Sequence, residues 1–150
     1  RIAVDADAVK FRWNGRECTG SSLHRAALDG DFSAVQDALQ AKPDQLSSRF
    51  TYQTRNLKGE LQEGSGEAIH LAASRGHEKV ARLLVSLGAK ISSKVTRGYK
   101  DHYNVFHAAV YAEGKGGSCS MVSYLLEMQA DPIEPNGDGR SALHLAYQTG

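Results

Sequence analysis

The chain has 150 residues, 41% of them hydrophobic, with 18 basic against 17 acidic side chains and a formal net charge of +1. That length and apolar content suffice for one domain or a short repeat array with a buried core. The near balance of charge excludes a general field that would draw nucleic acid or an acidic membrane to the surface, so neither is expected as a partner. Two cysteines about a hundred positions apart, Cys18 and Cys119, make neither a disulfide framework nor a zinc spacing, which points to reduced thiols in an intracellular, cytoplasmic setting. No apolar run approaches the roughly 20 residues that span a bilayer, and the opening RIAVDADAVKFRWNG lacks the apolar core of a secretion signal, so membrane insertion is not expected. Because the first residue is arginine, an upstream segment is expected in the parent protein.

Residues 1–20 read as an N-terminal extension. From residue 21, SSLHRAALDGDFSAVQDAL predicts two short helices. Ser21 stands at the N-cap, Ala26 and Ala27 are small helix formers that permit close helix approach, and Gly30 supplies the turn. Asp37 falls at an apolar position of the second helix, as on an end unit with one face in water. Residues 45–65 then interrupt the pattern. Phe50, Tyr52 and Thr54 alternate there before a polar Gly/Ser-rich end, which predicts an extended hairpin or long finger inserted outside the stack. The stretch EAIHLAASRGHEKVARLLV from 67 repeats the helix pair, with Ala72, Ala73 and Gly76, then Val80, Leu83, Leu84 and Leu87 at helical spacing before Gly88. ISSKVTRGYKDHY reads as another finger. In NVFHAAVYAEGKGGSCSMVSYLL from 104, AEGKGGSCS lengthens the inter-helix turn, and Met121, Tyr124 and Leu125 resume the second helix. SALHLAYQTG from 141 opens a fourth unit. Leu143, Leu145 and Ala146 would lack part of their cover there, so the array is expected to continue in the parent protein.

Each unit thus carries an apolar residue, a histidine, then a small pair or its remnant. The units resemble ankyrin repeats, whose signature runs Thr-Pro-Leu-His, Ala-Ala, Gly-His, then a Val/Leu-rich helix ending in Gly-Ala-Asp. The second unit matches best, through Ile69-His70, Ala72-Ala73, Gly76-His77, Val80, Leu83-Leu84 and Gly88-Ala89. The resemblance implies an all-α ankyrin-type helical solenoid with hairpin-like finger loops. Its repeats lie near 21–44, 67–90 and 104–131, with a partial one at 141–150 and the long insertion 45–65 between the first two. The histidines are separated by 46, 37 and 37 residues, against a regular period of about 33. Ser22, Ala68, Val105 and Ala142 replace the family proline, and Ser21, Asn104 and Ser141 can replace its threonine as N-caps, whereas Glu67 is less suited.

His24, His70, His107 and His144 recur at one place in successive units. They should form a ladder with steps near 10 Å, too wide to share an ion bonded at about 2 Å. The resemblance implies that they are structural and fasten backbone groups between repeats. His77 has a family counterpart at the inter-helix turn, and His102 reads as an ordinary finger residue.

Catalytic motifs fail. HEKVA at 77–81 has Ala81 where a zinc helix needs its second histidine, EGSGE has glutamates where a nucleophile elbow needs glycines, and EGKGGS lacks the rest of a phosphate loop. GDGRSA at 137–142 matches Gly-x-Gly-x-x-Ala but follows DPIEPN rather than an apolar strand, so it reads as a turn. No catalytic residue, cofactor or metal is assigned.

What remains is a non-enzymatic protein–protein interaction module. The resemblance implies a concave binding surface on the inner helices and fingers: Leu28, Asp29, Ser74, Arg75, Val110, Tyr111 and Gln148 on helices, with Lys100, Asp101, Tyr103, Asp138 and Arg140 on fingers. The alternative is a regulatory or targeting segment of a larger enzyme or channel whose activity lies outside this chain.

Overall fold

The structure, a computed structural model, describes residues 8–13, 15–98, 100–110, 119–137 and 139–142. Three helix pairs follow one another: α1 (Ser22–Asp29) with α2 (Phe32–Ala41), α3 (Ala68–Ser74) with α4 (Glu78–Ser86), and α5 (Val105–Val110) with α6 (Cys119–Glu127). α1, α3 and α5 pack on one another as an inner row, and α2, α4 and α6 form the outer row. The alanine pairs Ala26-Ala27, Ala72-Ala73 and Ala108-Ala109 are buried, as close helix approach requires. Gly30 and Gly76 end α1 and α3 in the left-handed region, at φ 76° and 72°. There the chain turns back, with Asp31 N–H bonding the Ala26 carbonyl at 3.0 Å and His77 N–H the Ala72 carbonyl at 2.9 Å. Along α4, Val80, Ala81 and Leu84 are buried, Leu83 is half-buried and Leu87 is exposed.

The expectation of an all-α fold is overturned. β1 (Val9–Trp13), β2 (Arg16–Gly20), β3 (Arg49–Arg55), β4 (Leu61–Glu67), β5 (Lys94–Arg97) and β6 (Lys100–Asn104) form one six-stranded antiparallel sheet in chain order. Its units are three hairpins, each leading into an inner helix. Neighbouring hairpins join through short ladders, Cys18↔Tyr52 with Thr19↔Thr51, and Gly64↔Arg97 with Ser65↔Thr96. A hairpin is two strands wide, about 9.6 Å at the usual strand spacing, and stacked helices repeat every 8 to 10 Å or so. The fingers therefore arrive side by side at hydrogen-bonding distance. Arg49 reinforces the second junction: its guanidinium donates to Ser65 Oγ at 2.9 Å and to the Lys94 carbonyl at 2.6 Å, and pairs with Glu67 at 3.2 Å.

One face of the sheet is aromatic and buried. Phe50 is its hub, with ring centroids 5.2 Å from Trp13, 5.7 Å from Phe11 and 5.6 Å from His24. Residues 45–65 are therefore not an insertion outside the stack, because Phe50 and Tyr52 belong to the core. The segment read as an extension also contributes there, through Phe11, Trp13 and Cys18. The Gly/Ser-rich run is strand rather than loop. Gly64 stands opposite Tyr52 and Gly66 opposite Phe50; a Cβ on Gly66 would lie 2.8 Å from the Phe50 ring, and one on Gly64 would overlap the Tyr52 ring. The missing side chains make room for rings lying across the neighbouring strand.

Gly64→Ala should accordingly destabilise the fold by about 1 to 3 kcal/mol in urea denaturation, through overpacking. In a double-mutant cycle with Tyr52→Ala, the pair should cost less than the sum of the two singles by more than about 0.5 kcal/mol. Strict additivity would show that the ring and the glycine are not coupled.

Candidate functional site

The buried histidines come first, because they hold the frame. The backbone N–H of Glu67 donates to Nδ1 of His70 at 3.0 Å, which makes Nδ1 the acceptor and leaves the proton on Nε2. Nε2 then donates to the Ser93 carbonyl at 3.0 Å, at the entrance to the next finger. His24 repeats the arrangement between Ser21 N–H, at 2.9 Å, and the Ser48 carbonyl, at 3.1 Å. His107 repeats it between Asn104 N–H, at 3.2 Å, and the Arg140 carbonyl, at 3.1 Å. His144 lies outside the described residues. His77 makes a link in the opposite direction, from Nε2 to the Leu28 carbonyl at 2.9 Å. Its ring occupies the space that a Cβ on Gly30 would need, only 2.6 Å away. Burial pushes the His70 pKa down to about 4 and also lowers those of His24 and His107, against the opposing effect of their carbonyl partners.

A groove of about 420 Å³ opens where the first hairpin meets the inner helices. Lys10, Phe11, Arg12 and Glu17 line it from the hairpin, and Arg25, Leu28, Asp29 and Arg75 from the helix side. Arg25 pairs with Asp29 at 2.9 Å and Lys10 with Glu17 at 3.8 Å, both exposed and individually weak. Arg12 donates to the Gly15 carbonyl at 2.9 Å.

Of the expected interaction residues, Asp29 and Arg75 are exposed and meet at this groove. Three others need correction, since Leu28, Ser74 and Val110 are 4%, 2% and 8% exposed. Leu28 belongs to the same core as Phe11 and Trp13. Ser74 accepts the Trp13 indole N–H at 2.7 Å and donates to the Leu71 carbonyl, so the first finger covers the inner-helix position that the resemblance offered to a partner. Val110 ends α5 in the core. Lys100, Asp101 and Tyr103 fall on β6, and Arg140 is exposed, away from the groove. Tyr111, Asp138 and Gln148 lie outside the described residues. Sequence reasoning missed Lys10, Phe11, Arg12 and Glu17 on the hairpin and Arg25 on α1. The signal was there: Asn14-Gly15 sits between VKFRW and RECTG, a two-residue hairpin signature flanked by alternating residues.

Cys18 carries a free, buried thiol whose pKa burial pushes up to about 11, so it is not a reactive thiolate at neutral pH. Among the described residues no group of three or more His, Cys, Asp or Glu is placed to hold a metal ion, and no helix is long and apolar enough to cross a membrane.

A family model described as ankyrin repeats, in three copies, matches residues 23–136. The chain belongs to the ankyrin-repeat family, whose members generally serve as protein–protein interaction modules and are typically non-enzymatic. None of the curated proteins matches it.

Two outcomes follow from the histidine geometry. His70→Ala leaves the Glu67 N–H and the Ser93 carbonyl without their partner and should destabilise the array by about 1 to 3 kcal/mol in urea denaturation at pH 7. The second concerns pH. The folded imidazole of His70 holds a proton less tightly than the unfolded one, whose ordinary pKa is 6.5, so between pH 6.5 and about 4 the unfolded chain binds more protons. Stability should be full above pH 6.5, decline as pH falls, and level off for this group near pH 4. The contribution of His70 to that loss is on the order of 3 kcal/mol. His70→Gln, less stable at pH 7, should lose correspondingly less across the same window.

Proposed function

We propose that the groove between the first finger and the inner helices is the partner-binding surface of this ankyrin-repeat module. The observation that carries the reading is the convergence on one concavity of exposed charged side chains from two rigid supports: a strand pair anchored by buried Phe11 and Trp13, and the inner helix row. Arg25 and Asp29 come from α1, and Arg75 is the C-cap of α3. Because the supports are packed, little ordering entropy is lost when a partner docks. The arginines that line it belong to the residue types enriched at protein interfaces. The module acts by display and carries no chemistry of its own.

The test uses the helix side of the groove. A partner captured by the full chain and identified by mass spectrometry is titrated against Asp29→Ala combined with Arg75→Ala, which should weaken binding more than tenfold with melting unchanged. Lys79→Ala combined with Glu127→Ala, on the exposed outer helices α4 and α6, should change it less than twofold. The reverse result would move the interface to the back of the array.

A further inference from the structure

β1 is an outer strand. Among the described residues only β2 pairs with it, in the register Val9↔Gly20 to Trp13↔Arg16. In an antiparallel hairpin with a two-residue connection, the closing pair exchanges its backbone bonds and every second pair does the same. Val9, Phe11 and Trp13 thus bond inward to β2, and the N–H and C=O groups of Lys10 and Arg12 point out of the sheet edge.

That edge opens into the groove. Lys10, Phe11 and Arg12 all line it, although successive side chains of a strand face opposite sides of its sheet. A concavity touched by three consecutive residues runs along the strand's edge. Lys10 and Arg12 are exposed on the outer face, and Phe11 turns toward the core. The lining has four basic side chains and two carboxylates, in a chain whose net charge is only +1. Each carboxylate already has a basic neighbour, so the surplus is positive. A second copy pairing edge to edge would set Lys10 against the other copy's Arg12, and like charges opposed across strands are destabilising.

We propose that β1 receives an extended acidic segment of a partner protein as an added strand, with carboxylates at alternate positions facing Lys10 and Arg12. The intervening side chains, small and apolar, lie toward Phe11 and Leu28. Backbone bonds to the open edge supply affinity, and the alternation supplies selectivity. This rests on the groove being the partner surface and gives that surface a binding mode.

The probe is a short acetylated, fluorescein-labelled peptide alternating glutamate with valine, titrated into the full chain by fluorescence anisotropy. Two further versions carry N-methyl groups on alternate backbone amides, one set for each edge of the strand. Saturable binding is expected for the parent peptide, with one methylated version losing it and the other retaining it. Lys10→Glu combined with Arg12→Glu should weaken the glutamate peptide more than tenfold and confer binding of a peptide with lysine in place of glutamate. Emission of the single tryptophan, Trp13, reports that the hairpin stays docked in the variant. Equal binding of both methylated versions would mean that charge alone attracts the peptide, and absence of saturable binding would remove the site; either overturns the proposal. So would a dimer in sedimentation that the peptide dissociates, since the edge would then belong to a second copy. If the helix-side variants weaken the captured partner while the β1 variants leave it unchanged, the groove reading stands and strand addition falls.

Discussion

A neutral imidazole has one acceptor and one donor, and in this protein both are directed at backbone. His70 accepts from the N–H that begins its own helix and donates to the carbonyl that begins the next finger. With His24 and His107 in the same role, every described inner helix is tied to the segment after it. The stack depends on this contact more than on any single apolar pair. The imidazoles themselves are buried, where an unmatched polar group costs more than a matched one contributes. Protonation would place a charge in that setting, which is why burial dominates the shift at all three positions.

A second constraint is geometric. Two strands and one helix layer have nearly the same width, so lengthening the fingers lets them merge into a sheet without disturbing the helical stack. The merger is light in backbone terms, with two residue pairs at each junction. Side chains make up the difference. Phe50 and Tyr52 bridge from the middle hairpin to Phe11 and Trp13 of the first, and Arg49 crosses toward the third. The sheet thereby acquires a buried face, and the fingers become load-sharing parts of the core rather than appendages.

The same aromatic face changes what the concave surface offers. Trp13 bonds to Ser74 and covers a position that the resemblance offered to a partner. In the proposed reading, recognition is displaced outward, to the rim where the first hairpin, α1 and the end of α3 leave a charged groove. That groove brings together a strand edge and two helix termini, a combination that a stack of bare helices would lack.

Much of the helical frame was legible in one dimension. Small pairs, glycines at positive φ, the recurring histidine and the helical spacing of Val80, Leu83 and Leu84 are local patterns, and each does locally what its chemistry dictates; Leu87, read as part of the same stripe, is exposed. The alternation of Phe50, Tyr52 and Thr54 announced a strand for the same reason. The sheet as a whole was not legible, because pairing between hairpins depends on a lateral spacing set by helices far away in sequence. Gly64 and Gly66 look like linker residues until the rings opposite them are known. The exposure of Asp29 and Arg75 agrees with their place in the repeat pattern, but the burial of Leu28 and Ser74 could not be read from it. The burial of Ser74 involves an indole 61 residues away, and Leu28 is buried in the core that also holds Phe11 and Trp13. Sequence alone determined which segments are helices and which histidines stand in register; the tertiary structure alone decided that the fingers form a sheet, that its aromatic face is core, and that its outer strand β1 borders the groove, since each of these follows from contacts between segments that no local pattern encodes.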